Sequence, residues 1–301
     1  ADTERPSRRT RQSRRPISKG NGDMKILVTS ASGANGDGYG RLLAFSMDGT
    51  PQGAFSNDLR IVDPRGLRVN ANRRLLYINS GDDRALALDS RGEVQYDTCH
   101  IPGLNAGGGN LGPDGRYYVG LRTERTIAAF PPDLDGIGTP ILQRCIVPFP
   151  RGFAFADDGA LFLASGVGPD GRGENTILRF TFSGPGGNGR FASDDAMSPL
   201  DLAIAPGGNV LVSSEFPFGS PAAATSVREY DTRSGALLRV FAPPAGVPFS
   251  RPRGLRFGPD GHLYCTARDS VIAFDYASGR CVGVVVDCPR LNGQAIEFFG
   301  D

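Results

Sequence analysis

Three times in 301 residues the chain sets Pro-Arg-Gly ahead of a short apolar run: "PRGLRV" from Pro64, "PRGFAF" from Pro150 and "PRGLRF" from Pro252. Aligned on that tripeptide, two further segments fall into step, "AGGGNLGPDGRYYVGL" from Ala106 and "PLDLAIAPGGNVLVSS" from Pro199. The five starts lie 42 to 53 residues apart. Each copy reads as an apolar strand, a turn built mostly on Asp-Gly or Gly-Gly, and a second apolar strand; such turns supply the positive φ of a tight hairpin. A third strand follows ("ALALD", "TIAAF", "TILRF", "SVREYD", "VIAFD"), then a more variable fourth such as "GALLRVF" or "CVGVVVD". The unit is therefore a four-stranded antiparallel sheet, repeated at a period that signals a radial or solenoid array.

A sixth unit is split between the chain ends. "MKILVTS" and "RLLAFSMDG" read as second and third strands with no first strand ahead of them, and "NGQAIEFFGD" reads as a first strand with nothing after it. Joined, they complete six units, which predicts an all-β, six-bladed β-propeller closed by its last strand. Such a ring removes the exposed edges that a linear solenoid would have to cap. The 42 glycines and 23 prolines suit many short strands and tight turns.

Residues 1–22 stand apart from the propeller, which is expected over 23–301. The first 20 residues hold six Arg and one Lys against two acids, with no apolar periodicity, and are expected to be a disordered tail. The formal net charge is +1, so the propeller itself, slightly acidic, has no global field to recruit nucleic acid. No stretch is apolar for the ~18 residues of a membrane span. Because the first residue is Ala, a processed or truncated chain is expected, with a periplasmic or secreted location favoured over the cytoplasm. Five cysteines without a CxxC pair read as scattered buried thiols, with Cys281–Cys288 as the candidate disulfide. Two histidines, His100 and His262, exclude a His-rich metal site.

"PRGLRFGPDGHLYCTARDSVIAFD" and "PRGLRVNANRRLLYINSGDDRALALD" resemble NHL repeats, and the "GPDG" turns resemble those of streptogramin lyases and of the gluconolactonase/senescence-marker group. The resemblance covers residues 23–301. It implies a ligand-binding face at the loops that enter each first strand, and a small-molecule hydrolase or lyase acting on an anionic or lactone-like substrate there. A non-catalytic propeller binding an anionic ligand or a protein through the same face is the alternative, and the protein is expected to be a monomer.

On that face the middle residues of the tripeptide read Asn292, Arg65, Gly107, Arg151, Leu200 and Arg253 around the ring. Arginine in alternate blades predicts a cationic mouth, or three local braces to acids such as Asp63 or Asp201. The ends of the second strands give a further ring, Ser30, Ser80, Leu121, Ser165, Ser214 and Ala267, whose four hydroxyls are candidate ligand contacts. The connections 31–40, 165–175 and 215–226 are expected to form a rim. Relatives of this kind hold a divalent cation on the axis. Here Asp201, Glu215 and Asn292 amount at most to a weak Ca²⁺ site, opposed by the arginines, and no tightly held metal or other cofactor is expected. His100 is the one imidazole expected near this face. With Asp201 and Glu215 it completes the set of candidate acid–base groups.

Overall fold

A computed structural model describes residues 24–31, 40–166, 175–182, 189–215 and 225–300. They form six four-stranded antiparallel sheets in a ring. Blade one holds β1 (Lys25–Ser30), β2 (Arg41–Ser46) and β3 (Pro51–Ala54). Blade two is β4 (Leu67–Asn70), β5 (Leu75–Ser80), β6 (Arg84–Leu88) and β7 (Val94–Asp97). Blade three is β8 (Ala106–Leu111), β9 (Tyr117–Leu121), β10 (Thr126–Phe130) and β11 (Thr139–Pro140). Blade four is β12 (Pro150–Phe155), β13 (Leu161–Ser165), β14 (Thr176–Phe180) and β15 (Gly189–Ser193). Blade five is β16 (Ser198–Ile204), β17 (Val210–Glu215), β18 (Ser226–Tyr230) and β19 (Leu237–Phe241). Blade six is β20 (Leu255–Phe257), β21 (Leu263–Thr266), β22 (Ser270–Phe274) and β23 (Cys281–Asp287). The final strand, β24 (Gly293–Phe299), pairs antiparallel with β1 and becomes the inner strand of blade one, so the split sixth unit closes the ring.

The hydrophobic core is divided into six, one cluster per junction. Tyr77 of β5 stacks on Tyr117 of β9 with centroids 4.7 Å apart, between blades two and three. Tyr118 and Ile127 meet Phe153 and Leu161 between blades three and four, and Ile26, Val28 and Ile296 meet Tyr264 and Val271 where blade six meets blade one. Sheets buried on both faces leave no apolar filling for the axis, which is polar. The "PDG" turns are built as the sequence suggests: Gly115 and Gly261 both sit at φ 78°. The Asp ahead of each glycine accepts a bond from a strand tyrosine, Tyr118 to Asp114 at 2.9 Å and Tyr264 to Asp260 at 2.7 Å.

The inner strands share one irregularity. At the tripeptide, two inner-strand residues oppose a single residue of the second strand: Gly107 and Gly108 face Gly120, Arg151 and Gly152 face Ala164, and Leu200 and Asp201 face Ser213. A bulge of this kind breaks the alternation of a strand and re-aims a side chain. That is how the middle residue comes to face the channel. The last residue of the tripeptide meets the next blade. A Cβ on Gly152 would stand 2.7 Å from Asp201 Cα, one on Gly108 2.7 Å from Gly152 Cα, and one on Gly254 2.6 Å from Ala295 Cα.

Two expectations are corrected. Cys281 and Cys288 flank β23 at opposite ends and do not pair; all five thiols are free. Only Cys265 is buried, whereas Cys99 and Cys145 are exposed. Among the described residues no helix is long and apolar enough to cross a membrane. The tail expected over 1–22 lies outside the described residues, as do most of the three expected rim connections.

Candidate functional site

The bulged tripeptides converge on one cleft at the channel mouth. Arg65, Arg151 and Arg253 line it together, as their alternate places in the repeat predict, and Arg122 joins them. Arg65 reaches Asp63 Oδ2 at 3.2 Å and donates to Asn105 Oδ1 at 3.2 Å. Arg253 reaches Glu215 Oε2 at 3.4 Å and also donates to Gln294 Oε1. Arg122 and Arg151 both lie against the ring of Phe149, 5.6 and 4.5 Å from its centroid. Arg65 and Arg253 thus each hold an acid, whereas Arg122 and Arg151 share one aromatic face.

The electrostatics are those of like charges gathered away from water. Burial, then the charges of Arg253 and Arg65, pull Arg151 down to about 10, with Glu215 offsetting part of the effect. Arg122 is pulled well down too, by burial first and then by Arg151, Arg65 and Arg253. Guanidinium rarely gives up its proton, so these shifts express how strongly the site asks for negative charge.

Below the mouth the channel is closed by a belt of ions from the next layer of the inner strands. Arg68 donates to Asn110 Oδ1 at 2.7 Å and reaches Glu297 Oε2 at 3.3 Å. Arg256 reaches Asp201 Oδ2 at 3.1 Å and Glu297 Oε2 at 3.5 Å. Asn110 donates onward to the Phe153 carbonyl at 2.7 Å. Two arginines face two carboxylates, so this floor is balanced.

Asp201 lines the same cleft at its floor, held by Arg256 and by the Leu255 amide at 3.0 Å. The remaining candidates fall elsewhere. Glu215 stands at the rim against Arg253. His100 lies on the connection from β7 to β8, exposed, its Nδ1 2.8 Å from the Asp82 carbonyl, and does not line the cleft. His262 sits in the "GPDGH" turn between β20 and β21, away from the mouth. Asn292 precedes β24, and the residue of blade one that enters the cleft is Gln294, two positions on. Of the ring of hydroxyls, Ser80 accepts from the Val62 amide (2.9 Å), Ser165 from Phe149 (3.3 Å) and Ser214 from Ser198 (3.0 Å). These three brace the chain entering the inner strand. Ser30 Oγ is buried with no hydrogen-bond partner among the described residues, and none of the four serines lines the cleft.

A divalent cation does not fit this donor set. Among the described residues the two candidate carboxylates are engaged by arginines, Asn292 stands off the lining, and five guanidiniums line the cleft.

Arg122 and Gln294 escape the sequence reading for separate reasons. Gln294 is displaced by the bulge, which shifts the alignment of β24. Arg122 sits one residue beyond the end of β9, in the same place that Glu215 takes in β17. Reading that outer position around all six units would have found it.

No family profile matches the sequence, and no curated protein matches it either. Solved structures do. A chain of a nidogen/laminin complex superposes with a TM-score of 0.71 at 14% identity, over 91% of this chain and 98% of that one. A gluconolactonase from Xanthomonas campestris gives 0.63 at 18% identity, over 91% and 89%. A streptogramin B lyase gives 0.53 at 14%, over 79% and 73%. At these identities the likeness is one of fold, the six-bladed propeller.

Proposed function

We propose that this propeller is a receptor for a small anionic molecule, held at the channel mouth by Arg65, Arg122, Arg151 and Arg253. The observation that carries the reading is the lining itself: Arg65, Arg122, Arg151, Arg253 and Arg256 gather on one cleft in which Asp201 is the one carboxylate among the described lining residues. Positive charge gathered in a site with little water costs folding free energy, and an anion offsets that cost through charge-assisted hydrogen bonds. The closed floor makes the mouth a cup and not a pore. Calorimetric titration with a panel of small anions at low ionic strength, beside melting curves of the same samples, tests the reading. At least one anion is expected to bind and to raise the melting temperature, by about 2.7 kcal/mol of stability at a hundredfold excess over Kd. Arg151→Ala is expected to weaken that binding by about 1–3 kcal/mol. Lowered stability with undiminished affinity in the Arg65, Arg151 and Arg253 alanine variants alike would make the arginines structural braces and overturn the proposal.

A second reading, hydrolysis or elimination of a lactone-like substrate, is favoured by Glu215, a carboxylate at the rim beside Arg253. Glu215 would take the proton and the arginines would stabilise the developing oxyanion. Lactone turnover abolished by Glu215→Gln, with ligand affinity kept, would select this reading. Absence of turnover across a panel of lactones would leave the receptor.

A further inference from the structure

The floor of the cleft is a belt of contacts that touches every inner strand but does not close. Arg256 of blade six reaches Asp201 of blade five at 3.1 Å and Glu297 of blade one at 3.5 Å. Glu297 takes Arg68 of blade two at 3.3 Å. Arg68 donates to Asn110 of blade three at 2.7 Å, and Asn110 donates to the Phe153 carbonyl of blade four at 2.7 Å. From Phe153 back to Asp201 no hydrogen bond or ion pair crosses among the described residues. The break lies between blades four and five, and both of its ends are acceptors.

Asp201 is unevenly used at that break. Its Oδ2 accepts from the Leu255 amide at 3.0 Å and from Arg256 at 3.1 Å. Its Oδ1 accepts from no described residue, yet it is not among the side-chain oxygens sealed from solvent. That oxygen sits over the bare Cα of Gly152, where a Cβ would come within 2.3 Å of it, and both residues line the cleft. One oxygen is therefore fixed by the fold, and the other is an oriented acceptor left to whatever enters. A largely buried carboxylate oxygen gains most from a donor.

We propose that Asp201 reads a hydrogen-bond donor on the ligand: the anion held at the mouth carries a hydroxyl or an amide N–H beside its charged group, and that donor closes the belt at Asp201 Oδ1. This rests on the receptor reading above and narrows it. Arg256 already answers the charge of Asp201, so a neutral donor completes the site. An ammonium would instead bring a further cation among the five guanidiniums of the lining.

The test is calorimetric titration of the full chain with two pairs of carboxylates, the second member of each having its donor methylated. Glycolate is set against methoxyacetate, and N-acetylglycine against N-acetylsarcosine. Acetate, which has no donor and no added bulk, controls for the methyl group, while glycine and sulfate complete the panel. At least one donor-bearing anion is expected to bind about tenfold or more tightly than its methylated partner and than acetate, as a hydrogen bond to a charged group implies. The pair that shows the gap tells hydroxyl from amide. In Asp201→Asn the new side-chain oxygen can keep the Leu255 amide and Arg256, which turns the amide nitrogen to the cleft and replaces the acceptor with a donor. The gap should then shrink to within about twofold. A crystal structure of the wild type with the preferred anion covers the case in which that variant does not fold, its donor being expected within about 3.2 Å of Asp201 Oδ1.

Sulfate binding without any gap between donor-bearing and donor-free carboxylates would overturn the role of Asp201 and leave the receptor reading standing. So would a gap kept in a folded Asp201→Asn, or a bound donor directed elsewhere. Glycine binding more tightly than glycolate would overturn the neutral donor. Binding of none of these anions, sulfate included, would take down the receptor reading itself.

Discussion

At the scale of the residue, the repeated tripeptide divides its labour. The middle residue faces the channel because the bulge turns it there, and the glycine after it touches the next blade. Gly152 shows how tight that contact is, since an added Cβ would meet Asp201 Oδ1 at 2.3 Å and the Leu200 carbonyl at 2.8 Å. Two of the three nearest atoms, Asp201 Cα and the Leu200 carbonyl oxygen, are backbone and cannot swing aside as a flexible side chain would. Gly152→Ala should therefore destabilise the protein by about 1–3 kcal/mol, the range for overpacking a filled interior. Gly207 has nothing within 4 Å of its would-be Cβ, so Gly207→Ala should stay within about 0.5 kcal/mol of the wild type. Denaturant melts of the two variants check the pair, and equal midpoints would show that the junction yields. Three of the four mouth arginines were legible from the tripeptide alone. The fourth lies one residue beyond the end of β9, outside the tripeptide, and shows only when that outer position is read around the ring. The serine ring was legible as a ring and misleading as a site, because sequence shows that a hydroxyl is present and not that a neighbouring amide already occupies it.

At the scale of the element, latch residues near the ends of the second strands tie one sheet to the next: Thr29, Asn79, Ser213 and Thr266 each donate to a carbonyl of the neighbouring inner strand. Thr266 Oγ1 accepts from the Gly254 amide at 2.8 Å within its own blade and donates to the Gly293 carbonyl of blade one, both fully inside the protein. Thr266→Val keeps the volume and leaves both backbone groups without their partner, so a loss of about 1–3 kcal/mol is expected. The reverse experiment uses the empty latch of blade four. Ala164 is buried at the position of Ser213, so Ala164→Ser should gain about 0.5–1.5 kcal/mol if its hydroxyl reaches the inner strand of blade five. Chemical denaturation of the single variants decides it; a destabilised Ala164→Ser would mean that the blades there stand too close for the latch. The blades and their hairpins were readable from hydrophobic alternation and Asp-Gly turns. The latch pattern was not, because Thr, Asn and Ser within an apolar strand give no sign of which blade they bond.

At the scale of the whole molecule, stability depends on a strand that joins residues from the two ends of the sequence. β24 is paired along its length with β1, from Lys25 opposite Phe299 to Ser30 opposite Gly293. It brings Ala295, Ile296 and Phe299 into two separate junction cores. It also carries Glu297, the carboxylate that both Arg68 and Arg256 share in the floor. A chain ending at Leu291 would lose all of these at once. Burial of Ile296 and Phe299 alone is worth about 1.5–3 kcal/mol each. The loss would leave two buried arginines short of a counter-charge and open the inner edge of β1 to water or to another chain. Together these approach the whole stability of an ordinary domain, about 5–15 kcal/mol. The shortened chain is therefore expected to show no cooperative melt, or one lowered by tens of degrees, and to aggregate through the exposed edge. A synthetic peptide spanning residues 292–301 should restore part of the transition when added in excess, because it supplies the strand without the covalent link. Calorimetry of the shortened chain with and without the peptide checks both halves, and an unchanged midpoint in its absence would show that the ring holds without its closing strand.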